Sequence, residues 1–156
     1  MESSIEVIEF ALADGRYAID INIIREIVEM VPITPIPRAP PYITGVINLR
    51  GEITNIVNLN KHLALPPKEL SKSQKIIVFT ADTIKGNNVG IVVDSVASVV
   101  VVPVSQVKQA SEESGEKEGN YVKGIINMFS AGETKQGSGL VIWLDILKLF
   151  KDIEKK

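Results

Sequence analysis

Residues 42–59, YITGVINLRGEITNIVNL, decide the fold of this chain. Two apolar runs rich in β-branched residues flank a polar centre, which contains Arg50 and Gly51. Because glycine tolerates positive φ, the pattern predicts a β-hairpin whose turn is formed by this pair. An arginine on so short a connection withdraws into solvent less freely than one on a long loop. Arg50 is therefore a candidate contact point.

The segments before this hairpin predict a first hairpin, a short helix and an extended connector. Residues 5–12 and 17–21 partly alternate apolar and polar side chains around an Asp14-Gly15 turn. From Asp20, a helix N-cap residue type, apolar residues at 23, 24, 27 and 28 fall at helical spacing, and Pro32 would end the helix. The five prolines from position 32 to position 41, Pro32 included, favour an extended connector, because they remove backbone donors.

The second half of the chain repeats the apolar pattern of the first. Residues 17–21 align with 89–93, YITGVINL at 42–49 aligns with YVKGIINM at 121–128, and 57–59 align with 144–146. A repeat of this length with glycine-marked turns predicts two small barrels or sheets. Each half has few residues for a core of its own, so we expect the halves to pack together.

These patterns predict a mainly β protein with two β subdomains. We expect the first subdomain at residues 1–65, a linker at 66–74 and the second subdomain at 75–156, with terminal segments free to cross between them. Residues 144–153 space their apolar side chains as an amphipathic helix, which we expect to seal the core.

Composition excludes several classes of function. The chain has 156 residues, of which 45% are hydrophobic and 23% charged, as is typical of a soluble globular protein. The net charge of −2 gives no electrostatic reason to expect nucleic acid. Without cysteine, no disulfide, thiolate nucleophile or cysteine-bound metal is available. With no leader pattern and no apolar run of the roughly 18 residues that a membrane-spanning helix needs, we expect a cytoplasmic protein.

The residue types of catalytic and metal sites do not form a recognisable pattern. His62 is the single histidine, and a lone histidine without a partner cluster is seldom a ligand. The acidic residues between 112 and 118 lack EF-hand spacing, and residues 86–88 are better explained as a turn than as a phosphate-binding loop. Trp143 lies between apolar neighbours, which favours a core position over a stacking platform for nucleic acid. We therefore expect no enzyme, no metal and no cofactor.

Charged residues beside apolar positions suggest a surface for another protein. They are Arg25, Glu26 and Glu29 on the exposed side of the predicted helix, and Arg50 and Glu52 at the hairpin tip. Such an arrangement suits protein recognition. The alternative is an intramolecular ion pair or a merely solvated face.

Several segments together resemble the CheW family of chemotaxis coupling proteins. The most specific are GVINLRG at 45–51 and IREI at 24–27, which follows a Y-x-I-D segment, and the resemblance covers nearly the whole chain. It implies two intertwined, five-stranded SH3-like β-barrels without catalytic activity, which join chemoreceptors to the histidine kinase CheA. It also implies association with membrane receptor arrays through these partners, without direct membrane insertion.

The resemblance further implies which residues bind. Arg50 and Glu26 occupy positions of the family's coupling surfaces, Gly45 and Gly51 match the family glycines, and Ile24 takes the place of the usual valine. The complete expected receptor- and kinase-binding set is Ile24, Glu26, Ile27, Gly45, Val46, Leu49, Arg50 and Gly51. We expect an apolar face of a receptor helix in a groove between the barrels, with Arg50 as a hydrogen-bond donor at its edge.

Two matters stay open at the level of sequence. The polar insertion GETKQGSG at 132–139 departs from the family pattern, so contacts near it are not assigned. The rival hypothesis is a small double β-barrel that binds nucleic acid or a small ligand, and its affinity for nucleic acid would fall steeply with salt.

Overall fold

The computed structural model describes residues 3–13, 15–39, 43–63, 65, 71–80, 88–109, 121–127 and 139–154. In these residues the strands are β1 (Ser4–Leu12), β2 (Gly15–Asp20), β3 (Ile24–Glu29), β4 (Ile43–Leu49), β5 (Glu52–Val57), β6 (Lys75–Phe79), β7 (Val89–Val93), β8 (Ser95–Pro103), β9 (Val107–Gln109), β10 (Val122–Asn127) and β11 (Leu140–Leu144). The helices are α1 (Leu59–His62) and α2 (Ile146–Glu154). The prediction of a mainly β protein with a C-terminal helix is confirmed.

The chain divides into two compact units that exchange segments. Unit 1 comprises Met1–Ile21 and Ala97–Lys156, and unit 2 comprises Asn22–Val96. This division differs from the expected boundaries of 1–65 and 75–156, because the first hairpin pairs with the last strands of the chain.

Two parallel strand pairs account for the exchange. In unit 1, β2 pairs with β11, where Tyr17 lies opposite Ile142. In unit 2, β5 pairs with β7, where Ile56 lies opposite Gly90. Each unit thus joins the first hairpin of one sequence repeat to the second hairpin of the other.

The two sheets have matching strand orders. In the described part of the chain, unit 1 contains six strands in the order β8-β1-β2-β11-β10-β9, and unit 2 contains five in the order β3-β6-β7-β5-β4. The expected five strands are found in unit 2. The sixth strand of unit 1 arises because a 3₁₀ turn, Val104–Gln106, separates β8 from β9.

Each unit has its own apolar core. In unit 1, a buried cluster of Val7, Ala18, Val102, Ile126, Val141 and Trp143 lies inside the sheet. In unit 2, the corresponding cluster is Ile47, Ile56, Ile76 and Val78. Helix α2 adds Ile146, Leu149 and Phe150 to the buried residues, whereas Leu147, which the amphipathic pattern also places on the apolar face, is 39% exposed. Asp145 caps this helix by accepting a hydrogen bond from the Lys148 amide at 3.1 Å.

The prediction of a helix after the first hairpin is wrong. Only a three-residue 3₁₀ turn, Ile21–Ile23, precedes strand β3. This strand pairs with β6, where Ile27 lies opposite Ile77, and its register shifts between Ile24 and Glu26. A bulge of this kind interrupts the two-residue alternation of a strand, so the apolar spacing imitates that of a helix.

Several sequence predictions lie outside the described residues. They concern the linker between 66 and 70, the turn at 86–87, the acidic segment at 112–118 and the insertion at 132–138. The His62 backbone belongs to α1, but its side chain also lies outside the described part.

Candidate functional site

The predicted hairpin is formed by β4 and β5, with a two-residue turn. Leu49 lies opposite Glu52, which leaves Arg50 and Gly51 as the connection. Both have positive φ, 52° at Arg50 and 86° at Gly51, which is the requirement of a type I′ turn. Asn48 Oδ1 accepts a hydrogen bond from the Gly51 amide at 2.9 Å and so fixes the turn. The Arg50 side chain is 61% exposed at this tip.

The bulge in β3 brings two neighbouring charged side chains to the same place. In a regular strand, consecutive side chains point to opposite faces. Here Arg25 is the extra residue between Ile24 and Glu26 in the pairing with β6. As a result, the side chains of Arg25 and Glu26 both reach the β4–β5 tip.

The contacts between β3 and the tip form an ion-pair network. Arg50 Nη2 donates a hydrogen bond to Glu26 Oε2. Arg25 Nη1 donates to Glu52 Oε2 at 3.1 Å, and Arg25 Nε lies 3.6 Å from Glu26 Oε2. Asn88 Nδ2 completes the set by donating to Glu52 Oε2 at 3.3 Å. We call these five residues the tip network.

The hydrogen bond between Arg50 and Glu26 favours the charged forms of these two side chains. The hydrogen bond from Arg50 lowers the pKa of the Glu26 carboxyl, against a smaller opposing effect of burial. The same hydrogen bond raises the pKa of Arg50. Two arginines and two glutamates therefore balance one another, although most of these side chains are exposed.

Gly45 and Val46 connect β4 to the proline-rich segment. Val46 and Thr34 exchange two backbone hydrogen bonds, at 2.8 and 2.9 Å. A Cβ atom on Gly45 would overlap Thr34 O and would lie 2.7 Å from Ile33 Cγ2. Gly45 is buried, so its role in the structure is this close backbone approach and not an exposed contact.

Three of the four apolar side chains of the expected binding set, those of Ile24, Ile27 and Leu49, belong to the strand pairing and core of unit 2. Ile24 lies opposite Phe79 and Ile27 lies opposite Ile77 in the pairing of β3 with β6. Leu49 packs against the core cluster of unit 2. All three side chains are half-buried, so each contributes to the core and still presents some surface.

All eight expected binding residues lie in unit 2. The structure brings Glu26 and Arg50 into direct contact, and it places Gly51 in the turn beside them. The alternative of an intramolecular ion pair is thus observed for these two residues. Glu29 is not part of the tip network, because it pairs with Lys75 at 2.7 Å. Binding of a receptor or kinase by the set stays a prediction.

Sequence reasoning missed two residues of this region. Thr34 forms the bridge to Val46, and the only signal for it was the extended character of the proline-rich segment. Asn88 reaches Glu52 because β7 pairs with β5, and no local pattern indicates that contact.

Other expected features of the chain have definite outcomes. Trp143 is in the core of unit 1 as predicted, at 8% exposure, and its Nε1 donates to Asp20 Oδ1 at 2.7 Å. Among the described residues, no group of three or more histidine, cysteine or acidic side chains could hold a metal ion. No helix in the described ranges is long and apolar enough to cross a membrane.

Comparison with known proteins identifies the family. The CheW-like domain matches residues 6–154. Chemotaxis protein CheW of Treponema pallidum is 32% identical over 99% of this chain and 88% of its own length, and that of Thermotoga maritima is 32% identical over 97% and 91%. The crystal structure of the scaffolding protein TtCheW from Thermoanaerobacter tengcongensis superposes with a TM-score of 0.71, at 28% identity, over 91% of this chain and 89% of the other. This likeness confirms the expected SH3-like double-barrel fold. The chain belongs to the CheW-like domain family.

Proposed function

We propose that this protein is a non-catalytic adaptor that couples chemoreceptor cytoplasmic tips to the histidine kinase CheA in chemotaxis signalling. The CheW-like domain over residues 6–154 supports this role, as do relatives named chemotaxis protein CheW and a structural neighbour described as a scaffolding protein. The adaptor acts in the cytoplasm, where its partners hold it at the membrane receptor arrays.

The observation that carries the proposal is the conformation and exposure of Arg50. A non-glycine residue with positive φ is locally unfavourable, and such outliers concentrate where function requires them. The turn holds this guanidinium in a fixed place, more than half exposed, with Glu26 engaging only one of its amino groups. Its remaining donors are directed to a binding partner, since planar guanidinium groups suit multiple hydrogen bonds.

The proposal assigns the apolar part of the partner surface to three residues of the expected binding set. The half-buried apolar side chains of Ile24, Val46 and Leu49 provide a surface for an apolar helix face, and Arg50 engages polar groups at the edge of that helix. The apolar contacts contribute most of the affinity, while the charged edge fixes partner choice and orientation.

An alanine substitution tests the assignment. Arg50→Ala should weaken binding to a receptor cytoplasmic fragment or to CheA by about ten-fold or more, as expected for a central contact. Arg16→Ala is the matched control, because Arg16 forms an ion pair with Glu9 at 2.7 Å in unit 1 and has no proposed contact with a partner. Isothermal titration calorimetry would measure both affinities.

Thermal unfolding of the two variants separates binding from stability. We expect little change in the thermal midpoint of Arg50→Ala, because exposed ion pairs contribute little to stability. If folded Arg50→Ala protein binds both partners as the wild type does, Arg50 is not a coupling residue.

A further inference from the structure

We propose that Arg25 and Glu52 form a second part of the partner site, which we call the second arm. This second arm selects a partner that presents a cation to Glu52 beside the hydrogen-bond acceptor that engages Arg50. The inference rests on the proposed adaptor function, because it describes the partner of the same hairpin tip. It assigns a recognition role to two residues outside the eight expected to bind.

The hydrogen bonds of Glu52 leave one side of its carboxylate available. Oε2 accepts from both Arg25 and Asn88, at 3.1 and 3.3 Å. Among the described residues, none donates a hydrogen bond to Oε1, and the side chain is 55% exposed. Arg25 and Asn88 therefore fix the orientation of the carboxylate without using up its capacity to accept hydrogen bonds.

The position of Glu52 relative to Arg50 determines what can bind. Only Gly51 separates the two residues in sequence, so an exposed negative and an exposed positive charge lie at one tip. A partner with a carboxylate alone would meet repulsion from Glu52, and a partner with a lysine or arginine alone would meet repulsion from Arg50. A partner segment that carries an acceptor and a cation side by side satisfies both.

A contribution to protein stability is a poor explanation for the charged side chains at the hairpin tip. Exposed ion pairs stabilise a fold only slightly, and the side chains of Arg25, Arg50 and Glu52 are each at least 40% exposed. The bulge at Arg25 departs from regular strand geometry, and the positive φ of Arg50, which the type I′ turn requires, departs from the backbone conformation that non-glycine residues prefer. Both departures bring opposite charges to the same exposed tip, where bulges and backbone outliers often re-aim functional side chains.

Three variants of the arm test the proposal. Glu52→Gln removes the charge at constant shape, and Glu52→Lys reverses it. The double variant Arg25→Glu with Glu52→Arg exchanges the two charges, so that an ion pair between positions 25 and 52 is kept. Glu6→Lys is the control for net charge, because Glu6 is an exposed residue of β1 in unit 1.

Binding of a purified receptor cytoplasmic fragment and of CheA is measured by calorimetry at low and at physiological ionic strength. We expect Glu52→Lys to weaken binding of one of these partners by about ten-fold, and Glu52→Gln by about three-fold. The double variant should bind as poorly as Glu52→Lys although its internal pair is retained, and Glu6→Lys should bind as the wild type does. The losses should shrink as salt screens the charges.

The outcomes distinguish this inference from the adaptor function itself. If Glu52→Lys binds both partners normally while Arg50→Ala does not, the second arm is refuted and the adaptor function stands. If the double variant recovers wild-type affinity, Arg25 and Glu52 only stabilise the hairpin tip. The proposed selection of a partner by the charge of Glu52 is then likewise refuted. If the wild-type protein binds neither partner, the proposed function fails and the inference fails with it.

Discussion

Gly45→Ala provides a quantitative test of how the proline-rich segment is held on β4. The added Cβ would lie 2.7 Å from Ile33 Cγ2 and 3.0 Å from the carbonyl carbon of Thr34. The nearest atom is the backbone carbonyl oxygen of Thr34, which cannot rotate away as a flexible side chain could. The segment must therefore move off β4, and the two backbone hydrogen bonds between Thr34 and Val46 are lost with it.

The expected magnitude follows from these contacts. Each hydrogen bond contributes about 1 kcal/mol, and overpacking of a closely packed position costs about 1–3 kcal/mol. Their sum is about 3–5 kcal/mol, a large part of the roughly 5–15 kcal/mol by which proteins are stable. Urea unfolding followed by far-ultraviolet circular dichroism would show the loss as a lower midpoint.

Gly51→Ala is the matched control for this substitution. Apart from its two chain neighbours, no described residue has an atom within 4 Å of a Cβ built on Gly51, but its φ of 86° makes an alanine unfavourable by about 1–2 kcal/mol. Gly45→Ala should therefore destabilise the protein clearly more than Gly51→Ala. Equal urea midpoints for the two variants would contradict the close approach of Thr34 to Gly45.

Two further predictions concern charged side chains. Because Arg50 lowers the pKa of the Glu26 carboxyl, the unfolded chain binds more protons than the folded protein at pH values around the ordinary pKa of 4.5. The contribution of Glu26 to stability is therefore present above that pH and is lost as the pH falls through the pKa of the folded protein. The difference in urea midpoint between the wild type and Glu26→Gln should disappear at low pH, and a difference that persists unchanged would contradict the ion pair. Asp20→Ala should destabilise unit 1 by about 1–3 kcal/mol because it leaves the indole N–H of Trp143 without its acceptor, whereas Asp20→Asn keeps an acceptor oxygen and should cost less. Fluorescence of Trp143, the single tryptophan, would follow this unfolding, and equal midpoints for the two Asp20 variants would refute a role for that hydrogen bond.

The expected binding set combines exposed residues of the hairpin tip with a residue that is buried. Arg50 and Gly51 occupy the tip turn that the sequence predicts, because a two-residue connection between β-branched runs is a local signal. Gly45, by contrast, is buried under Thr34, and its importance is a matter of backbone packing. The pairing of Glu26 with Arg50 joins residues on different strands, and it had only been one alternative among several at the level of sequence.

Local patterns determined the β1–β2 and β4–β5 hairpins, the amphipathic C-terminal helix and the duplication, since alternation, turn residues and helical spacing depend on near neighbours in sequence. Tertiary structure alone decided that β2 pairs with β11 and β5 with β7, because one apolar strand is as compatible as another until distant backbone groups form hydrogen bonds. The same is true of β3, where pairing with β6 and a bulge at Arg25 overrode an apolar spacing that also fits a helix. The tip network exists only because these long-range pairings bring β3, β5 and β7 into one sheet.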